Sequence, residues 1–272
     1  MALLKKYLYS DMDGTLIGNN KTVSQRNIDA IKEFVAHGGE FSVATGRSAE
    51  LALPYLAGIP LTMPGIIYNG AAVYDFDKCT YLHKWCIPED IMRKLVTTAI
   101  QVYPTVCAEV CDGRPMQLVN PNSEMDVYII AENQAYEFAS LDSCGDCLKV
   151  LFYGEHERLL EVQAAIESAG IRGVTSCFSA PFYLEYLPED ASKGHALQWI
   201  SENLGGDLAQ TAAIGDFDND ITMIEEVGFG AAPSNAQQVI KDRADVIVAH
   251  HTESAVADLI YSHLLLDEHA VL

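Results

Sequence analysis

Short apolar runs alternate with amphipathic stretches over the first third of the chain. Tyr7, Leu8 and Tyr9 form such a run in "KYLYSD" and predict a strand that ends where the acids begin. In "TVSQRNIDAIKEFVAHGG", Ile28, Ile31, Phe34 and Val35 recur at three- and four-residue spacing, so one helical face is buried. Ser24 supplies the N-cap of that helix and Gly38 its stop. "EFSVAT" is a second strand, and "GIIYNGAAVYDF" reads as two short strands turned at Asn69-Gly70. Strand–helix–strand order with short links predicts a parallel sheet with right-handed crossovers.

The pattern changes in the middle. "TVCAEVCDGRPMQLV" reads as a hairpin turned at Asp112-Gly113, and "LKVLFYG" as a strand. "EHERLLEVQAAIESAG" reads as a helix ended by Gly170, and "FYLEYLP" as another strand. This is an α+β unit, expected over residues 85–187. From Ala191 the alternation returns: helix "SKGHALQWISENLG", strand "TAAIG", helix "ITMIEEVG", strand "FGAA". Helix "NAQQVIKDRA", strand "DVIVA" and helix "ESAVADLIYSHLL" complete it. The expected fold is therefore α/β: a Rossmann-like parallel-sheet core over 1–84 and 188–272, interrupted by the inserted unit. The insertion leaves and rejoins near the carboxyl edge of the sheet, where open α/β folds place their sites.

Composition narrows the function. A net charge of −21 is unfavourable for nucleic acid, which needs a basic footprint. No apolar stretch approaches the ~18–20 uncharged residues of a membrane span. The start "MALLKKYLYSDMDG" lacks a signal-peptide layout, so the chain reads as cytoplasmic. The seven cysteines, an odd set, suggest reduced thiols. Cys107/Cys111 and Cys144/Cys147 have the residue types of a zinc site, although only the second pair has the usual spacing; small buried thiols are the competing reading.

Four polar stretches fall at strand or helix ends and converge at one rim of a parallel sheet: 11–15, 45–47, Lys193 and "GDFDND" at 215–220. Asp11, Asp13, Asp216 and Asp220 offer the hard oxygen ligands that Mg2+ prefers. Thr45, the Gly46 amide, Asn219 and Lys193 are donors suited to phosphate oxygens. Asp11 and Asp13, two residues apart on an extended backbone, share one side, and their mutual repulsion is expected to raise both pKa values. Phosphoryl transfer needs this set of charge neutralisation, positioning and proton donation.

"DMDGT", "ATGR", "SKG" and "GDFDND" together resemble the four motifs of the haloacid dehalogenase superfamily. With "NGA" at 69–71, the order is most similar to its Cof-type sugar-phosphate phosphatases, and the insertion matches the position of their cap domain. The resemblance implies Asp11 as the nucleophile forming an aspartyl-phosphate and Asp13 as general acid/base. It implies Thr45, Gly46, Lys193 and Asn219 on the phosphoryl oxygens. Mg2+ would be held by Asp11, the Asp13 carbonyl and Asp216, with Asp220 behind them orienting Lys193 or a metal-bound water. Repulsion from Asp11 would help keep Asp13 protonated enough to donate. Arg47 and Asn69 are candidate substrate contacts, Arg47 equally a surface ion pair. The implied partner is a small phosphorylated metabolite, with the cap closing over the site; oligomeric state is not legible.

Asp218 is an extra acid, either a further metal ligand or simply solvated. "AAPSNA" (231–236) replaces the glycine-containing turn common in the family, which leaves that loop without an assigned role. Tyr183 and Glu185 precede the return to the core and are open to either a cleft-facing or a structural role. Two alternatives share the motifs: a phosphomutase, and a phospho-ligand-binding regulator without turnover. An intact Asp13 is superfluous in the latter.

Overall fold

In a computed structural model, which describes residues 2–120, 125–131 and 134–266, the chain divides into two compact units. One comprises Met1–His83 with Ser192–Leu272, the other Lys84–Ala191. The divisions fall at 83/84 and 191/192, where the sequence reading put them at 84/85 and 187/188.

The first unit is built on a five-stranded sheet in the order Val246–Val248, Phe229–Pro233, Thr211–Ile214, Tyr7–Ser10, Glu40–Val43, with all pairs parallel. The pairing of Ser10 with both Ile214 and Val43, and of Ile214 with Ala231, makes the central strands end at one level. Asp11, Ala44 and Gly215 therefore leave the sheet at the same edge. The helix Gln25–Ala36 starts at Ser24, whose hydroxyl accepts from the Asn27 amide, and Gly38 follows its end with a φ of 93°. Its buried Asn27 accepts the Ala257 amide and so ties the helix to Ala255–Leu259.

A three-stranded sheet of Gly65–Ile67, Ala72–Asp75 and Thr80–Lys84 is joined to the main one by a bridge between Ala44 and Ile66. Its first turn uses left-handed backbone at Tyr68, Asn69 and Gly70. A Cβ on Gly70 would lie 2.2 Å from the Ser192 carbonyl atoms. Glycine thus lets this turn press on the start of the helix Lys193–Leu204, whose N-cap Ser192 accepts from the His195 amide.

The second unit, Lys84–Ala191, carries a six-stranded sheet in the order Val174–Ala180, Tyr183–Pro188, Lys149–Tyr153, Cys107–Cys111, Met116–Leu118, Tyr136–Phe138. Only the last pair is parallel. Ala108, Val110, Val150, Phe152, Leu184 and Tyr186 pack with the helices Glu89–Val102 and His156–Ser168. Strand alternation sends Glu109, Lys149 and Glu185 to the opposite side, where all three are buried. Lys149 Nζ lies 3.2 Å from Glu185 Oε2, Ser179 donates to Glu185, and Tyr183 donates to Asp126. All seven cysteines are free thiols. Among the described residues, the cap cysteines Cys107, Cys111, Cys144 and Cys147 do not come together as a metal-binding group; the one such group consists of aspartates.

Two of the expected helices differ in extent from the sequence pattern. "NAQQVIKDRA" is helical only over Gln238–Lys241, because Asn235 and Gln237 are engaged elsewhere. The last helix, Ala255–Leu259, widens over Ile260–Leu264 into a looser turn.

Candidate active site

Asp11 is positioned by its backbone first: its amide donates to the Ile214 carbonyl at 2.9 Å, extending the pairing of two neighbouring strands by one residue. Its carboxylate is largely buried and accepts from Lys193 Nζ at 2.6 Å. Lys193 is wholly buried, sits at the first position of its helix and donates equally to Asp220 Oδ1 at 2.6 Å. Burial alone would lower its pKa, but Asp11 and Asp220 hold it above the ordinary lysine range. Burial is also the main reason the Asp11 pKa is raised well above the usual carboxylate value, with Asp220 and Asp216 adding to it against the pull of Lys193.

Asp13 takes the other direction. Its carboxylate is half exposed and is gripped by the fork of Arg47, Nε to Oδ2 at 2.7 Å and Nη2 to Oδ1 at 2.8 Å. Partial burial works to raise its pKa, but Arg47 outweighs it and holds the carboxyl below the ordinary range. The expectation that the two acids raise each other is therefore not met: Asp13 is lowered by Arg47, and Asp11 is raised by burial and by Asp220 and Asp216. Arg47 also lies over the Tyr55 ring, 4.7 Å from its centre. The structure thus brings Arg47 into the site as the partner of Asp13.

Thr45 is buried, and its hydroxyl accepts the Arg47 amide at 3.2 Å, so the 45–47 strand end curls around its own side chain. Asn69, buried in its left-handed turn, donates its amide N–H to the Thr45 carbonyl at 3.0 Å. Its side chain accepts from Asn219 Nδ2 at 2.8 Å, and Gly46 packs directly against it. Asn219 thereby faces the 45–47 loop through Asn69. Asp220 Oδ2 accepts the amides of Asp216 and Phe217 at 2.9 and 3.1 Å, so it shapes its own loop while it holds Lys193. Asp218 is exposed and outside the cluster of acids.

Asp11, Asp216 and Asp220 each place an oxygen within 4.8 Å of the others. Lys193 answers two of them; Asp216 has a hydrogen bond from the Thr15 hydroxyl, at 2.8 Å. Burial first, then the neighbouring Asp220, leave its pKa pushed up to about 6. A divalent cation held by oxygens would relieve this crowding, and the donor set is the kind Mg2+ takes. Gly14 is required beside it: its φ is 82°, and a Cβ there would lie 2.4 Å from Asp216 Oδ2. Thr15 and the 233–237 loop, which contacts Gly14 and Asp216, were not singled out by sequence; only the unassigned "AAPSNA" pointed to the loop.

The family model of the haloacid dehalogenase-like hydrolases matches residues 8–260. The chain belongs to this family. This haloacid dehalogenase-like hydrolase is 31% identical over 251 residues to the HMP-PP phosphatase of Serratia proteamaculans, covering 91% of each chain. It is 26% identical to the pyridoxal phosphate phosphatase YbhA of Escherichia coli, covering 94% of this chain and 97% of the other. A haloacid dehalogenase-like hydrolase from Bacteroides thetaiotaomicron superposes with a TM-score of 0.84 at 25% identity, over 95% of this chain and 99% of that one. The protein is accordingly a phosphatase, a hydrolase of phosphoric monoesters.

Proposed function

We propose that this haloacid dehalogenase-like hydrolase cleaves small phosphate monoesters, sugar phosphates foremost, by a two-step transfer through Asp11 that depends on Mg2+. The observation that carries the reading is the division of labour between the two motif acids: Asp11 is buried against Lys193, and Asp13 is half exposed against Arg47. A buried carboxylate aligned by a lysine suits a nucleophile, whereas a carboxyl at the solvent side suits proton exchange with an alcohol and with water.

In the first step an Asp11 oxygen attacks phosphorus, the ester bond breaks, and Asp13 gives the leaving alcohol its proton. Asp13 must be protonated for this, so binding of the substrate has to loosen the grip of Arg47; the guanidinium is then free for the phosphoryl group. In the second step Asp13 takes a proton from water as the water attacks phosphorus, which releases phosphate and restores Asp11. Lys193, Thr45, the Gly46 amide and Asn219 orient the phosphoryl oxygens and offset their charge. Asp11, the Asp13 carbonyl and Asp216 would hold Mg2+, which supplies charge neutralisation at the transferring group. Asp220 keeps Lys193 aimed at Asp11. The substrates named for the two curated relatives are small phosphorylated metabolites, which supports the same class here.

The test is phosphate release from a panel of hexose and pentose phosphates, nucleotides, pyridoxal phosphate and flavin mononucleotide, with Mg2+ and with chelator. Mg2+-dependent release from several sugar phosphates is expected. Isomer formation without release would instead indicate a mutase, and tight binding without either would indicate a regulator.

A further inference from the structure

The loop "AAPSNA" has no part in the reaction described so far, yet its asparagine is bound at both ends of its side chain. Asn235 Nδ2 donates to the Gly14 carbonyl at 2.8 Å, and Asn235 Oδ1 accepts the His251 amide at 2.9 Å. An amide that faces a carbonyl on one side and an N–H on the other has only one satisfied orientation. Two residues on, the Gln237 amide donates to the Asp216 carbonyl at 3.0 Å. The imidazole of His251 reaches the Ile17 carbonyl at 3.0 Å. One loop therefore braces both segments that carry the proposed metal ligands: the turn after Asp13 and the backbone of Asp216.

Gly14 is where that brace has most effect. Its left-handed backbone turns the Asp13–Gly14 peptide out of the strand and so sets where the Asp13 carbonyl points. The neighbouring Thr15 hydroxyl holds Asp216 Oδ1 at 2.8 Å. With no side chain of its own, Gly14 depends on its peptide hydrogen bonds to stay in place, and Asn235 caps the carbonyl on its far side.

We propose that Asn235 is a positioning residue for the metal site: its bond to the Gly14 carbonyl fixes the turn that presents the Asp13 carbonyl beside Asp216. The proposal rests on the reading of Asp11, Asp13 and Asp216 as a Mg2+ site. Supporting side chains behind metal ligands change metal affinity by about 10–100-fold when removed. Asn235→Asp keeps an acceptor for the His251 amide and loses the donor to Gly14; Asn235→Ala loses both.

The experiment titrates Mg2+ calorimetrically into the full chain as wild type, Asn235→Asp and Asn235→Ala. It also measures the Mg2+ needed for half-maximal phosphate release and the melting temperature in chelator. Both variants are expected to bind Mg2+ about tenfold or more weakly and to need correspondingly more for activity. Melting of Asn235→Asp in chelator should stay close to wild type, and kcat at saturating Mg2+ should recover. Asn235→Asp is the decisive variant if Asn235→Ala fails to fold. Unchanged Mg2+ affinity in a folded Asn235→Asp variant overturns the proposal, as does a loss of melting temperature without a change in Mg2+ affinity. Wild-type protein that binds no Mg2+ would instead overturn the reading on which it rests.

Discussion

Lys193 stands wholly buried between two carboxylates, Asp11 and Asp220. A buried ion pair is worth little net against an apolar core, but removing one partner leaves an uncompensated buried charge and is strongly destabilising. Lys193→Met leaves Asp11 and Asp220 facing each other in the interior, and the expected loss is about 3–5 kcal/mol in urea denaturation with chelator present. A loss below about 1 kcal/mol would mean that the acids are better solvated than their burial indicates. The identities of Asp11, Asp13, Lys193 and Asp216 were legible because each sits in a motif. The partnership of Arg47 with Asp13 was not: the two are 34 positions apart and meet only because adjacent strands end at one level. Asn235 was still less legible, since its target is a backbone carbonyl 221 positions away.

Among the elements, the turn at 68–71 and the helix after Ser192 act as one piece. Gly70→Ala would force a Cβ into the Ser192 carbonyl at a left-handed φ of 98°. A destabilisation of roughly 2–3 kcal/mol is expected, with kcat falling because Lys193 follows Ser192 directly. A variant with wild-type melting and activity would show that the contact is not tight. In the other unit, burial and then the nearby Asp126 raise the Glu109 pKa well above its ordinary value, although Lys149 pulls the other way. A carboxyl whose folded pKa is raised stabilises the fold below its unfolded value near 4.5, and that contribution is lost as pH rises toward the folded one. Glu109→Gln should therefore melt higher than wild type at pH 7–8, by a margin that shrinks toward about pH 4.5; a margin independent of pH would contradict this. The helix Glu89–Val102 was missed in sequence because Val96-Thr97-Thr98 is β-branched at its middle and Pro88 stands where a polar N-cap would be. The strand Val174–Ala180 was missed because its residues are half or fully exposed and partly polar, so no apolar run marks it.

Over the whole molecule, a net charge of −21 and a cluster of buried acids at one sheet edge act in the same direction. Both favour binding of a cation before an anion is brought near. Among the described residues no helix is long and apolar enough to cross a membrane. Mg2+ should stabilise the native chain by mass action, by about 2.7 kcal/mol at a concentration 100-fold above its dissociation constant. Thermal melting with Mg2+ and with chelator measures this, and Asp216→Asn should lose most of the increment; equal melting in both would leave the acids without a bound cation. The alternation of strand and helix made the two-part architecture readable. The parallel order already implied that the four motifs meet at one rim; the common level at which the central strands end came only with the register. Phosphate release by Asp11→Asn, with Mg2+, on the substrates the wild type accepts decides whether Asp11 attacks phosphorus. A folded protein with turnover reduced by about 10⁴-fold or more is expected. Turnover near that of the wild type would contradict this and remove Asp11 as the group that attacks phosphorus.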